Sequence, residues 1–237
     1  MRYLPRLIAA VSALLAVSVL GTAQAGIITV TNDASGTGRA AFGANDTMDW
    51  TTVGADLALV TNPFSATSNG GLNLTVSQQG ANPFQRRTEG VSSIGNFTDG
   101  NDLLWTNRSN GPISISFASP IAGIGFQINP NGSDTTTSVE LFTASNTSLG
   151  LFNLTTNDRA QPSASFLGFT SDMVDIARIS IGQPLNQDFI INQLSLITGP
   201  TSPPGPVPMP EPGSLAMTCL GLLGLGLALR LRRARGS

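Results

Sequence analysis

Between Gly26 and Ile197, short apolar runs alternate with clusters of Gly, Asn, Ser, Thr and Asp, and no stretch carries the 3.6-residue spacing of an amphipathic helix. The clearest two-residue period is Ile113, Ile115 and Phe117 with Ser114 and Ser116 between them. It predicts a strand with one face on a core and the other in water. Val139 with Leu141, and Ile179 with Ile181, repeat the pattern. Strands are expected over 27–31, 55–61, 72–77, 103–106, 113–118, 121–128, 138–143, 149–154, 165–169, 176–181 and 188–197. Asn129-Pro130-Asn131-Gly132 and Asp99-Gly100-Asn101-Asp102 have the residue types of tight or left-handed turns. Short strands with turn signals roughly every ten residues point to an all-β fold of two packed antiparallel sheets. The expected architecture is therefore a jelly-roll-like β-sandwich. A β-helix is the competing reading, and no fixed short repeat supports it.

Both chain ends break this pattern. Arg2 and Arg6 precede an apolar run from Leu7 to Leu20, followed by Ala23-Gln24-Ala25. A charged region, a hydrophobic region and a small-x-small site make residues 1–25 a signal peptide, with cleavage expected after Ala25. A retained anchor is the alternative. At the other end, residues 199–213 form a proline-rich linker that ends in Pro210-Glu211-Pro212-Gly213. Proline fixes φ and removes an amide donor, so this collar is expected to stay extended and reachable. Residues 214–237 then hold an apolar run from Leu215 to Leu229 and a cluster of Arg230, Arg232, Arg233 and Arg235. That run is short of the ~20 residues that span a ~30 Å hydrocarbon core, but Gly213, Ser214, Leu231 and snorkelling arginines extend it to a marginal span. Cations at one end place that end in the cytoplasm.

Pro210, Glu211 and Pro212, the apolar run and the terminal arginines together resemble the PEP-CTERM sorting signal. The resemblance implies an exported protein of a Gram-negative bacterium. It implies handling by an exosortase, a membrane-embedded cysteine transpeptidase that cuts near the motif and releases or re-anchors its substrate at the surface. An ordinary single-pass anchor with a proline-rich stalk is the plain alternative. The stretch Leu103-Leu104-Trp105-Thr106-Asn107, then Gly111 to Phe117, resembles a segment recurring in the ectodomains of such proteins. So do Phe166-Leu167-Gly168-Phe169 and the closing Phe189 to Leu196. That likeness implies a β-sandwich reminiscent of carbohydrate-binding jelly rolls for residues 26–198, and implies fold better than function.

Charge narrows the partners. Two of twelve basic residues lie in the leader and four in the tail, while all fourteen acidic residues fall between Asp33 and Glu211. The exported part thus has a formal charge near −8 and no lysine or histidine. Such a surface offers no footprint for nucleic acid or anionic lipid. The sole cysteine, Cys219, lies in the tail, so the exported part has neither disulfide nor thiol.

Absent histidine removes Ser-His-Asp and Cys-His catalysis and every histidine-bearing metal site. Glycoside hydrolysis needs two carboxylates, for which Glu89, Glu140 and several aspartates are available, but no spacing pairs them. A non-catalytic role follows as the expectation, with no required cofactor. Asp99, Asn101 and Asp102 place two carboxylates and an amide in one loop, the hard oxygens that Ca²⁺ favours, and Asn131-Gly132-Ser133-Asp134 is a poorer second loop. Structural turns are the plainer reading of both loops. Of the two tryptophans, Trp50 sits in polar Asp46-Thr47-Met48-Asp49-Trp50 and is the expected platform for a sugar ring, whereas Trp105 beside Leu103 and Leu104 is expected in the core. Arg86 and Arg87 with Phe84 offer a grip on an acidic polymer, or are simply solvated. Asn73, Asn96 and Asn153 head N-x-Thr sequons. Export to the surface and association with exopolysaccharide is the resulting picture, with a defined sugar-binding module as the alternative and a carboxylate enzyme behind it.

Overall fold

The computed structural model describes residues 26–108, 111–130, 132–158, 162–183 and 187–199. The predicted leader, the Pro210-Glu211-Pro212 motif and the tail helix lie outside the described residues. Among the described residues no helix is long and apolar enough to cross a membrane.

The strands are β1 (Ile28–Asp33), β2 (Asp46–Met48), β3 (Leu59–Val60), β4 (Phe64–Thr67), β5 (Asn73–Gln78), β6 (Phe84–Thr88), β7 (Asp102–Trp105) and β8 (Ile113–Ile121). They continue with β9 (Gly123–Asn129), β10 (Thr135–Phe142), β11 (Ser148–Thr156), β12 (Ser165–Ser171), β13 (Ile176–Gly182), β14 (Ile190–Asn192) and β15 (Leu194–Ile197). One helical turn, α1 (Gly38–Ala41), follows β1, and a 3-10 turn spans Trp50–Val53. Two antiparallel sheets result. The larger runs β1-β12-β9-β14-β7-β6-β3, with β15 joining β9 to β2, and the smaller runs β11-β10-β13-β8-β5-β4.

Alternation sets the core. Ile113, Ile115 and Phe117 of β8 are buried while Ser114 and Ser116 between them are less so. On β10 and β13, Val139, Leu141, Ile179 and Ile181 are fully buried. They meet Ile124, Phe126 and Ile128 of β9, Leu167 and Phe169 of β12, and Leu104 and Ile191 from the larger sheet in one apolar cluster. The expected strand over 188–197 breaks at Gln193, and its halves pair different neighbours: β14 with β7, β15 with β2.

The larger sheet is also covered on its other face. Residues one step out of phase with the core belong to two satellite clusters. Phe42, Phe166, Ala122 and Ile197 form one, and Phe97, Leu103, Ala164 and Ile190 the other. Phe42 packs edge-on against Phe166 with centroids 5.5 Å apart. Gly125 and Gly168, opposite each other in the β9–β12 ladder, make that approach possible. A Cβ on Gly125 would lie 2.5 Å from the Phe166 ring, and one on Gly168 would lie 2.8 Å from that of Phe42. Two chain segments therefore lie over this sheet, 34–42 and 89–101, and the second forms one wall of the site below.

Candidate functional site

β6 and β7 pair so that Gln85 faces Trp105 and Arg87 faces Leu103. Facing residues share a side of the sheet, and successive residues alternate. Arg87, Leu103 and Trp105 therefore point to the outer side of the larger sheet, while Arg86 and Leu104 point inward. Ile190 of β14 faces both Trp105 and Asn129, which extends the outer row across β9.

Above this row lies an open cleft of about 290 Å³, bounded by Arg87, Trp105, Ile190, Asn129 and Asp158 and by Ser92 to Gly95 of the covering segment. Trp105 is half-buried, and its indole N–H donates to Asp188 Oδ2 at 2.9 Å, which fixes the ring. The Arg87 guanidinium lies over that ring, 4.5 Å from its centroid. Arg87 Nε donates to Gln85 Oε1 at 2.8 Å and Nη1 to the Ser92 carbonyl, which orients the cation. Ile94 stands at the rim, 96 % exposed.

A buried chain of amides supports the far wall. Asn129 Nδ2 donates to Asn96 Oδ1 and to Asp158 Oδ1, both at 2.8 Å. Asn96 Nδ2 donates to the Asn157 carbonyl at 2.9 Å, and Asn157 Nδ2 to the Ala34 carbonyl at 2.9 Å. Asp158 Oδ2 accepts the Gly132 N–H at 3.0 Å. Fully buried Glu89 accepts the Gly95 N–H at 2.6 Å and fastens the covering segment from below. Buried amides joined in this way hold a wall rigid, because breaking a bond to one of them leaves a desolvated partner. The sequon residue Asn96 is consumed by this network and fully buried, so it is closed to glycan attachment in the folded chain.

The remaining wall is held from the inner side. Arg86 pairs with Asp102 and, at 3.4 Å, with Asp56. Asp56 in turn accepts from the Ser92 hydroxyl. That hydroxyl is the first cause holding the Asp56 carboxyl below its ordinary range, with Thr88 and the Arg86 charge adding to it and burial opposing. Two larger hollows, about 450 and 480 Å³, flank β4, but Ser65 to Thr67 line both and neither has a charged side chain.

Several sequence expectations move. Trp50 is fully buried and Trp105 half-buried, the reverse of the burial expected for the two tryptophans. The polar neighbours of Trp50 are structural: Asp49 caps the 3-10 turn by accepting the Thr51 N–H, and Asp46 accepts from Ser68 Oγ and the Gly70 N–H. These bonds turn the chain so that the indole stacks edge-on against Phe64 at 6.5 Å inside the core. Trp50 thus offers no face to a sugar.

The proposed calcium loop is likewise engaged. Asp102 is paired with Arg86, and Asn101 Oδ1 accepts from Asn192 Nδ2 at 2.9 Å. Among the described residues no group of three or more His, Cys, Asp or Glu is placed to hold a metal. The Asp99, Asn101 and Asp102 oxygens do not fit a calcium shell, since a cation already sits on one of them. Glu89 lies beside the larger sheet and Glu140 on β10 of the smaller one, so they form no carboxylate pair.

No protein-family model matches the chain, and no curated protein does. Among solved structures, the fold is similar to a DUF4465 family protein from Bacteroides caccae, at 9 % identity over 69 % of this chain and 98 % of that one, TM-score 0.37. It is also similar to a family 29 carbohydrate-binding module from Piromyces equi, at 17 % identity over 60 % and 89 %, TM-score 0.28. A third is the CBM22-1 xylan-binding domain of Paenibacillus barcinonensis Xyn10C, at 9 % identity over 62 % and 99 %, TM-score 0.31. Likenesses this distant carry no functional argument.

Proposed function

We propose that this chain is an exported, non-catalytic surface or matrix protein that holds extracellular polysaccharide in the Trp105 cleft, after sorting by an exosortase through Pro210-Glu211-Pro212. The supporting observation is the cleft itself. A sugar ring has an apolar C–H face and a rim of hydroxyls, and it is matched by a fixed aromatic beside planar and amide hydrogen-bonding groups. Trp105, Ile94 and Ile190 provide the apolar side, and Arg87, Ser92, Asn129 and Asp158 the polar one. Arg87 Nη2 makes no hydrogen bond to any described residue, so it is a donor in reserve for a hydroxyl or an acidic sugar. The orienting partners of Trp105 and Arg87 all belong to the protein itself, which lowers the ordering cost of binding.

The test uses the full chain, exported and recovered from the cell surface. On a glycan array and in polysaccharide-containing gels, the wild type is expected to be retained and Arg87→Ala to be released at lower concentration. No retention on any glycan, or equal retention of wild type and variant, would overturn the binding role. Shortening of the polysaccharide during incubation would overturn the non-catalytic part. Recovered surface protein still ending in Ser237, in a host with an exosortase, would remove the sorting reading.

A further inference from the structure

On the export reading, signal-peptide removal after Ala25 reaches into the fold. Hydrolysis of the Ala25–Gly26 bond by the signal peptidase consumes one water. The oxygen stays on the new Ala25 carboxylate, and the Gly26 nitrogen leaves as an α-ammonium. In the structure that nitrogen lies 2.7 Å from Asp175 Oδ2. The next N–H, of Ile27, donates to Asp172 Oδ1 at 2.7 Å, and the Ile27 carbonyl accepts the Asp172 N–H at 3.3 Å. The β1–β12 ladder begins one residue later with Ile28 opposite Ser171. The turn between β12 and β13 is thus wrapped around the start of β1.

One observation shows that this seat is unfinished while Gly26 is an amide. Asp175 Oδ1 is buried and has no hydrogen-bond partner among the described residues. A peptide N–H has one proton, already given to Oδ2, whereas an ammonium has three and a full charge. The seat also closes its side chains around Gly26. An ideal Cβ on Gly26 would stand 2.1 Å from Ser171 Oγ, 2.9 Å from Asp172 Oδ1 and 3.0 Å from Asp175 Oδ2.

We infer that the β12–β13 turn is a binding site for the α-ammonium of Gly26, in which Asp175 takes the charge through both carboxylate oxygens and Asp172 anchors the following N–H. The inference rests on the export reading for the cut after Ala25, and adds that the cut completes the fold. The precursor cannot make this ion pair. The processed chain makes it at the start of β1, which ends the larger sheet and otherwise pairs with β12 alone in that sheet.

The chain contains no lysine, so the α-amine is the one primary amine of the processed protein. This gives a clean assay. The full chain is exported, recovered and treated with an amine-acetylating ester near pH 8, where a free α-amine titrates at about 7.7–8.0. Its N-terminal peptide is then followed by mass spectrometry, natively and in urea. The expected peptide begins at Gly26 and is acetylated about tenfold more slowly in the native protein than in urea, a factor equivalent to about 1.4 kcal/mol of pairing. Asp175→Asn is expected to lose most of that protection. A mature chain starting elsewhere would remove the processing step on which the inference stands. A Gly26 start acetylated equally fast in both conditions would overturn the ammonium site and leave the export reading intact. If Asp175→Asn is not recovered in folded form, the wild-type ratio decides alone.

Discussion

The Arg87 guanidinium rests on one face of the Trp105 ring, 4.5 Å from its centroid, while that ring's N–H is tied to Asp188. The two side chains come from adjacent strands and share the outer side of the larger sheet because β6 and β7 pair in that register. Arg87 is further bonded to Gln85 and to the Ser92 carbonyl of the covering segment. One cation therefore links the aromatic floor of the cleft to its rim.

Replacing Arg87 by alanine is expected to weaken polysaccharide binding about tenfold while costing the fold about 0.5–1 kcal/mol, the scale of an accessible cation–π contact. Affinity gels read the first quantity and a urea melt the second. Ile94→Ser, at a fully exposed rim position, is expected to weaken binding with no change in the melt. Unchanged affinity in both variants would place the binding surface elsewhere.

Acid should loosen the same rim. Asp56 accepts from Ser92, and its folded carboxyl is held below the ordinary range by that bond, by Thr88 and by Arg86. A lowered folded pKa means that the stabilisation is present above the unfolded value of about 3.9 and is lost as pH falls through the lowered one. Ligand affinity is therefore expected to hold from pH 7 to about 4 and then fall. Asp56→Asn should reduce affinity at neutral pH by about threefold, within the range of one hydrogen bond, and flatten the acid limb. A variant with the wild-type acid profile would contradict this account.

The sandwich was legible because β8, β10 and β13 bury every second residue, and Ile113, Ile115 and Phe117 announce that period without help from the rest of the chain. β6 was not legible, since Phe84-Gln85-Arg86-Arg87-Thr88 reads locally as a polar loop. Its two arginines part company only in a strand, where Arg86 turns inward to Asp102 and Arg87 outward to Trp105. Trp50 misled for a related reason. The aspartates around it suggested solvent, but they cap the 3-10 turn and tie down Ser68 and Gly70. The cleft draws on β6, β7, β9, β14 and the residues at 92–95 and 158. No local pattern joins positions that far apart; register and the Asn129–Asn96–Asn157 network do.

Indifference to calcium follows from the loop chemistry. With Asp102 paired to Arg86 and Asn101 bonded to Asn192, an added divalent cation would face a guanidinium. Ligand binding to the native state alone would raise the melting temperature by mass action, by about 2.7 kcal/mol of stability at a hundredfold excess over Kd. The expected result is no shift between millimolar calcium and chelator. A rise with calcium that disappears in Asp99→Asn would restore the loop as a metal site.

The two tryptophans separate stability from binding. Trp50 is fully buried, edge-on to Phe64, which is in turn edge-on to Phe84 at 5.4 Å. Removing a buried ring of this kind costs about 3–5 kcal/mol, from lost transfer energy and the cavity left behind. Trp50→Ala is therefore expected to lower the urea midpoint sharply, and any molecules that remain folded should bind polysaccharide as the wild type does. Trp105→Ala is expected to show the opposite balance. Its ring is half-exposed and packs beside Phe97, Leu103 and Ile190, so the melt should shift less while affinity falls at least tenfold. Measured together, the two variants compare the cleft with the core in a single experiment. If Trp50→Ala loses binding while Trp105→Ala keeps it at equal folded fraction, the polysaccharide site does not lie in the cleft beside Arg87.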